Sequence, residues 1–188
     1  MFFIAFNESY TNILIKKAKK GDEDAFCTLI HDIEPFVFNF ALRMMNGNRQ
    51  DAEDMAQEAF LRVYRALSGY KENASFKTWA LRICKNVCLD EIRRRQSRIT
   101  ACDEIPETVA DKSTVQEQVI GAERKRALEA AINSLDERAR TLIVLRDING
   151  FSYKAIGEIM DMEIGTVKSA LNRARKKLLD IIVEQNLI

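Results

Sequence analysis

The sequence predicts an all-α protein: two small helical domains joined by a flexible linker, the second a helix-turn-helix (winged-helix-like) DNA-binding domain. Three observations carry this expectation. Only 7 Gly and 2 Pro punctuate 188 residues, which suits helices better than a turn-rich sandwich or barrel. Apolar residues recur at helical intervals through two long stretches, with a polar, acidic run around Pro106 between them. Near its end the chain holds two short amphipathic segments joined by a tight turn, and the second of them is basic.

The expected division is a first domain over 1–95, a linker over 96–114 and a second domain over 115–188. A hydrophobic content of 47% with 30% charged residues fits a folded chain long enough for two small cores. The opening apolar residues Met1 to Phe6 lack a basic leading segment and are broken at once by Asn7, Glu8 and Ser9, unlike a secretory leader. No stretch is expected to span a membrane. Cys27, Cys84, Cys88 and Cys102 form no dense framework, so a reducing cytoplasm is the expected compartment.

In the first domain, Phe26, Leu29, Ile30 and Ile33, then Phe36, Phe40 and Met44, mark one apolar helical face. Breaks are expected at Asn46-Gly47-Asn48 and from Ser68 to Asn73, where Gly and Asn favour turns. Between them, the helix from Asp51 to Tyr64 should bury Ala52, Met55, Ala56, Ala59, Phe60 and Val63. Asp51, Asp54, Gln57, Glu58 and Leu61 are left facing outward. Acidic residues in a first turn also suit the helix dipole, so this face reads equally as a partner-binding surface or an ordinary solvated one.

The segment from Ser75 to Arg95 holds the only Trp and turns basic at its end. Trp79, Ile83, Val87 and Ile92 suit a core face, while Lys77, Arg82, Lys85, Asn86, Arg93 and Arg94 supply charge and hydrogen bonds. Aromatic residues beside cations are what single-stranded DNA needs, although composition favours the core for Trp79.

In the second domain Leu128, Ala131, Ile132 and Leu135, then Leu142, Val144 and Leu145, restore the helical period. Ser152 can cap a helix running from Tyr153 to Met160, a turn follows at Asp161-Met162-Glu163, and Gly157 stands where two helices would cross. From Ile164 to Lys177 the basic residues are Lys168, Arg173, Arg175, Lys176 and Lys177, with no acidic residue among them. In a chain of net charge +1, this concentration points to a phosphate backbone. Lys168, Ser169 and Asn172 can reach base edges, whereas Arg173, Arg175, Lys176 and Lys177 suit phosphates.

Three ordered motifs resemble bacterial sigma factors of the sigma-70 family, specifically the short extracytoplasmic-function group. They are Asp51 to Phe60, then Phe76 to Trp79 with Arg82, Ile83 and Asn86, and last Gly165 to Ser169 with Arg173 to Arg175. The resemblance implies a non-enzymatic subunit that binds core RNA polymerase and directs it to promoter DNA, under control of an anti-sigma factor. It implies that 1–95 is region 2 and 115–188 is region 4. Core binding would fall to Asp51, Asp54, Gln57, Glu58 and Leu61. Minus-ten recognition would fall to Tyr70, Asn73, Lys77, Arg82, Asn86, Arg93 and Arg94. Contacts to the minus-thirty-five element would come from Arg146, Ser152, Tyr153, Thr166, Lys168, Ser169, Asn172, Arg173 and Arg175. Ala170 and Asn172 depart from the basic and the His or aromatic residues frequent in the family, so promoter preference does not carry over. The implied location is the cytoplasm, or its membrane face if the anti-sigma factor is membrane-bound, with no stable homo-oligomer.

Two other readings make different demands. A helix-turn-helix repressor or activator would dimerise on palindromic half-sites. A metal sensor would pair Cys27 and His31 with Cys84 and Cys88, but such cysteines are more often small core residues, and no metal or cofactor is expected. Without a Gly-rich phosphate loop or nucleophile elbow, and with one His, the sequence gives enzymatic chemistry no support.

Overall fold

The computed structural model of the chain describes residues 8–101 and 119–184. Helices α1 (Glu8–Ala18), α2 (Glu23–Met44), α3 (Arg49–Ala66) and α4 (Phe76–Ala101) make the first half, with a short 3-10 turn at Leu67–Gly69. The second half comprises α5 (Val119–Asn133), α6 (Glu137–Ile143), α7 (Tyr153–Met160) and α8 (Ile164–Glu184). No strand occurs among the described residues, so the helix-turn-helix carries no β-wing there.

Helix α2 is the axis of the first half. Asp22 starts it by accepting a hydrogen bond from the Ala25 amide at 2.9 Å. Its buried face, Leu29, Ile33, Val37, Phe40 and Met44, packs against α1, α3 and α4. By length and composition this helix is apolar enough to cross a membrane, contrary to the sequence expectation. The physical reason is its central place, since a helix flanked by three others is apolar on several sides. Asn46 and Gly47 then take positive φ at the expected break, and Asn48 caps α3.

One boundary differs from expectation. The expected linker begins at residue 96, yet α4 continues to Ala101; its last turns need no apolar residue because backbone hydrogen bonds propagate a helix already nucleated. The remainder of the linker, and residues 115–118 at the expected start of the second domain, lie outside the described residues. Leu128, expected on an apolar face, is exposed, while Ala131, Ile132 and Leu135 are buried.

In the second half α6 passes directly into a π-helical stretch, Val144–Ile148, where the Asn149 amide bonds to the Val144 carbonyl at 2.9 Å. The wider turn brings Arg146 to the Phe151 carbonyl (2.7 Å) and Asp147 to Arg175 of α8. Ser152 caps α7 as expected, accepting from the Ala155 amide at 3.1 Å.

The halves share one apolar core, and α4 packs on α7. Arg140 of α6 donates to the Asn46 side chain at 2.6 Å and to the Met44 carbonyl at 3.4 Å, while its other nitrogen reaches the carbonyls of Asn133 and Leu135. Arg43 pairs with Glu129 at 2.8 Å. Both cations therefore bridge the C-terminal end of α2 to the second half.

Candidate nucleic-acid and polymerase interfaces

The outward face of α3 follows from the burial of Ala52, Ala56, Ala59 and Val63 on its other side. Asp54 and Gln57 are exposed, and Glu58 is half-buried in an ion pair with Arg62 at 2.7 Å. Leu61 is 51% exposed, and Tyr64, one turn further, is 50% exposed. Tyr64 stands beside the apolar Val63, so its exposure is not legible in the sequence; its ring meets Phe26 edge-on at 5.0 Å. Carboxylates beside a half-exposed Leu61 and Tyr64 form an amphipathic surface suited to a protein partner.

Asp51 stands apart from that surface. Arg95 of α4 grips both its oxygens, at 2.7 and 2.8 Å, and Arg95 also bonds to the buried Glu91. The Arg95 hydrogen bonds hold the Asp51 carboxyl below its usual range. Asp51 is therefore a clasp between α3 and α4, which its role as an outward-facing contact did not anticipate.

The loop from Tyr70 to Ser75 and the start of α4 form the second candidate surface. Tyr70, expected to face DNA, is only 5% exposed. Its hydroxyl donates to the Ala74 carbonyl at 2.6 Å, and its ring packs against Trp79 and Phe76 at 4.8 and 5.8 Å. It shapes the loop from within, because an aromatic ring next to two others gains more from burial than from water. Lys71, Glu72, Asn73 and Ser75 are the exposed side chains, and Ser75 caps α4 through the Thr78 amide at 3.2 Å.

Lys77 reaches across to the second half. Its ammonium lies 3.7 Å from the Phe36 ring centroid and 4.9 Å from that of Phe151, and burial pulls its pKa down. Arg82 and Asn86 are exposed on the same helix, with Arg82 at 3.9 Å from Asp161. Lys85, half-buried between them, has its pKa lowered by burial and by Arg82. Arg93 stands 4.0 Å from Glu137 and Arg94 is paired with Glu91 at 2.7 Å, so both already face carboxylates of this chain.

The third surface is α8. Val167, Ala170, Leu171 and Ala174 are buried, which leaves Thr166, Lys168, Ser169, Asn172 and Arg173 exposed. Ala170, one of the two departures from the family pattern, is buried in the core rather than displayed. Arg175, expected to touch phosphate, is held by Asp147, and Lys177 by Asp136 at 2.7 Å. Arg146 lies 4.7 Å from the Tyr153 ring, and Lys168 5.9 Å from it on the opposite helix. The crossing is tight: a Cβ on Gly157 would lie 2.7 Å from the Met162 carbonyl oxygen. Among the described residues no group of His, Cys, Asp and Glu could hold a metal; Cys84 and Cys88 are buried, whereas Cys27 and His31 face solvent.

Against known families, residues 29–98 match Sigma-70 region 2 and residues 125–178 match Sigma-70, region 4. The ECF RNA polymerase sigma factor SigW of Bacillus subtilis is 35% identical over 173 residues, covering 87% of this chain and 92% of that protein. The chain is a sigma factor of the extracytoplasmic-function group. As such it binds core RNA polymerase and directs it to promoters, with no enzymatic activity of its own. The sigma-E factor of Escherichia coli is 30% identical, covering 88% of this sigma factor and 91% of its relative. Among solved structures, the sigma factor RpoE of Bartonella quintana, in complex with the anti-sigma factor NepR, superposes with a TM-score of 0.70. That match is 24% identical over 84% of this chain and 96% of the other, and it supports the helical fold. CnrH, in complex with the cytosolic domain of CnrY, superposes at 0.66, with 21% identity over 93% and 98% of the two chains.

Proposed function

We propose that the three surfaces divide the work of initiation. The face of α3 bearing Asp54, Gln57, Glu58 and Leu61, extended by Tyr64, binds core polymerase. The loop 70–75, with Asn73, Lys77, Arg82 and Asn86, takes an extruded base of the minus-ten element. Thr166, Lys168, Ser169, Asn172 and Arg173 of α8 read the minus-thirty-five duplex, with Arg146, Ser152 and Tyr153 at its flank. The observation that supports this most is a contrast between two stretches of exposed side chains: Asp54, Gln57 and Leu61 with Tyr64 on α3, against Thr166, Lys168, Ser169, Asn172 and Arg173 on the first turns of α8. Arg93, Arg94 and Arg175 serve DNA only by exchanging their present carboxylate partners for phosphates.

Capturing an unstacked base lets binding energy offset the cost of melting, and joining two weak readers in one chain raises the effective concentration of the second. Control by an anti-sigma factor, in the cytoplasm or at the membrane, is the fitting regulation, since the RpoE of similar fold is bound to an anti-sigma factor. Purified core with this protein should give promoter-dependent transcripts in vitro, and none from any mapped site would defeat the assignment. Asp54→Arg with Glu58→Arg should weaken core association at least tenfold, about 1.4 kcal/mol, with helicity unchanged by circular dichroism. Unaltered core binding would remove α3 from the account.

A further inference from the structure

We infer that Lys19, at the end of α1, is a positioning residue for the base-reading loop, and so for base selectivity at the minus-ten element. The inference rests on the reading that loop 70–75 captures a base.

Lys19 lies well outside the loop in sequence and ahead of the stretch that matches region 2. Helix α1 is anchored on α2 through Leu14, Ile15 and Ala18, and the Lys19 amide continues the helix by bonding to the Ile15 carbonyl at 3.0 Å. From this fixed base its ammonium donates to the Tyr70 carbonyl at 2.6 Å and lies 5.6 Å from the Tyr70 ring centroid. The bond is charge-assisted and partly buried, which makes it stronger than a neutral turn contact.

Tyr70 is where the loop leaves the 3-10 turn, and it transmits that anchoring forward. Its hydroxyl closes on the Ala74 carbonyl at 2.6 Å, and the Asn73 amide bonds to the Lys71 carbonyl at 2.6 Å. Ser75 then fixes the exit by capping α4. Lys71, Glu72 and Asn73 thus project from a short loop held at its entrance by Lys19, across its middle by Tyr70 and at its exit by Ser75. A loop ordered before binding loses less entropy when a base arrives, and its polar groups meet one base better than another. Loss of the Lys19 bond frees the entrance while leaving the Tyr70 ring in its aromatic cluster.

The test compares wild-type, Lys19→Met and Lys19→Arg full-length protein, each bound to core polymerase. The probe is a DNA library with a randomised unpaired segment joined to a randomised upstream duplex. Wild type should enrich a particular base within the unpaired segment. Lys19→Met should lower that enrichment about five- to tenfold, as expected for one charge-assisted hydrogen bond, while Lys19→Arg retains most of it. Selection in the upstream duplex should be the same for all three. Wild-type selectivity persisting in Lys19→Met overturns the inference. So does a loss in Lys19→Met that is equal in both parts of the library, because general destabilisation would then account for it. No base enrichment by the wild type defeats the underlying reading of the loop as well.

Discussion

Asp51 shows how a residue of the right charge in the right helix can serve a different purpose. Its carboxylate sits in the fork of Arg95, 44 residues away, and that fork also reaches Glu91. Because the folded pKa is lowered, the clasp stabilises the protein fully above the unfolded value near 4 and is lost as pH falls through the folded value. Unfolding between pH 5 and pH 3 should therefore weaken wild type more steeply than Asp51→Asn. Near pH 7 the variant should be about 1 kcal/mol less stable, a modest figure because Arg95 is 44% exposed and solvent screens the pair. Denaturant titrations across that range would check both statements, and equal pH slopes would show the clasp to be idle. Core affinity should change less than in the α3 charge reversal, since Asp51 stands off the outward face. The sequence did not reveal the clasp because partners so far apart share no local pattern. The burial of Tyr70 is hidden for a related reason: amid Lys71, Glu72 and Asn73 an aromatic looks exposed, and Phe76 and Trp79 fold back over it.

Among the helices, legibility followed periodicity and caps. The apolar repeat of α2 and α3, the Asn46 to Asn48 break and the Ser152 cap all stand where local chemistry places them. The end of α4 does not, since Gln96 to Ala101 offer no apolar stripe to read. The π-helical stretch is equally hidden, because Asp147 in the wide turn is tied to Arg175 of α8, 28 residues away. Helix α7 meets α8 through a contact that tolerates no side chain at residue 157. Gly157→Ala would push a methyl against the Met162 backbone carbonyl, which must shift and turn α8 with it. The expected cost is about 1 to 3 kcal/mol, and duplex binding should fall even though no DNA-facing side chain has changed. Thermal melting and binding to upstream promoter duplex would measure the two effects; a variant normal in both would mean that the crossing adjusts freely.

Across the whole molecule, the packed arrangement of the halves was the feature least accessible to sequence, because Met44, Met45 and Phe151 look like members of separate cores. Arg140 concentrates the polar part of that packing, at the Asn46 side chain and the Met44 carbonyl. Arg140→Ala should loosen the closed arrangement by about 2 kcal/mol, the scale of hydrogen bonds to a charged group. Dyes placed on Glu72 and Lys176 would report a wider distance distribution in the variant, and an unchanged distribution would show that the apolar contact alone sets the closure. The position of Lys77 between Phe36 and Phe151 gives that closure a further meaning. Bulk chromosome offers a vast excess of wrong sequence to any cation on display. A copy that has not met polymerase, with this ammonium tucked against the second half, should withhold one strand-binding cation from such decoys and leave α8 as its displayed basic surface.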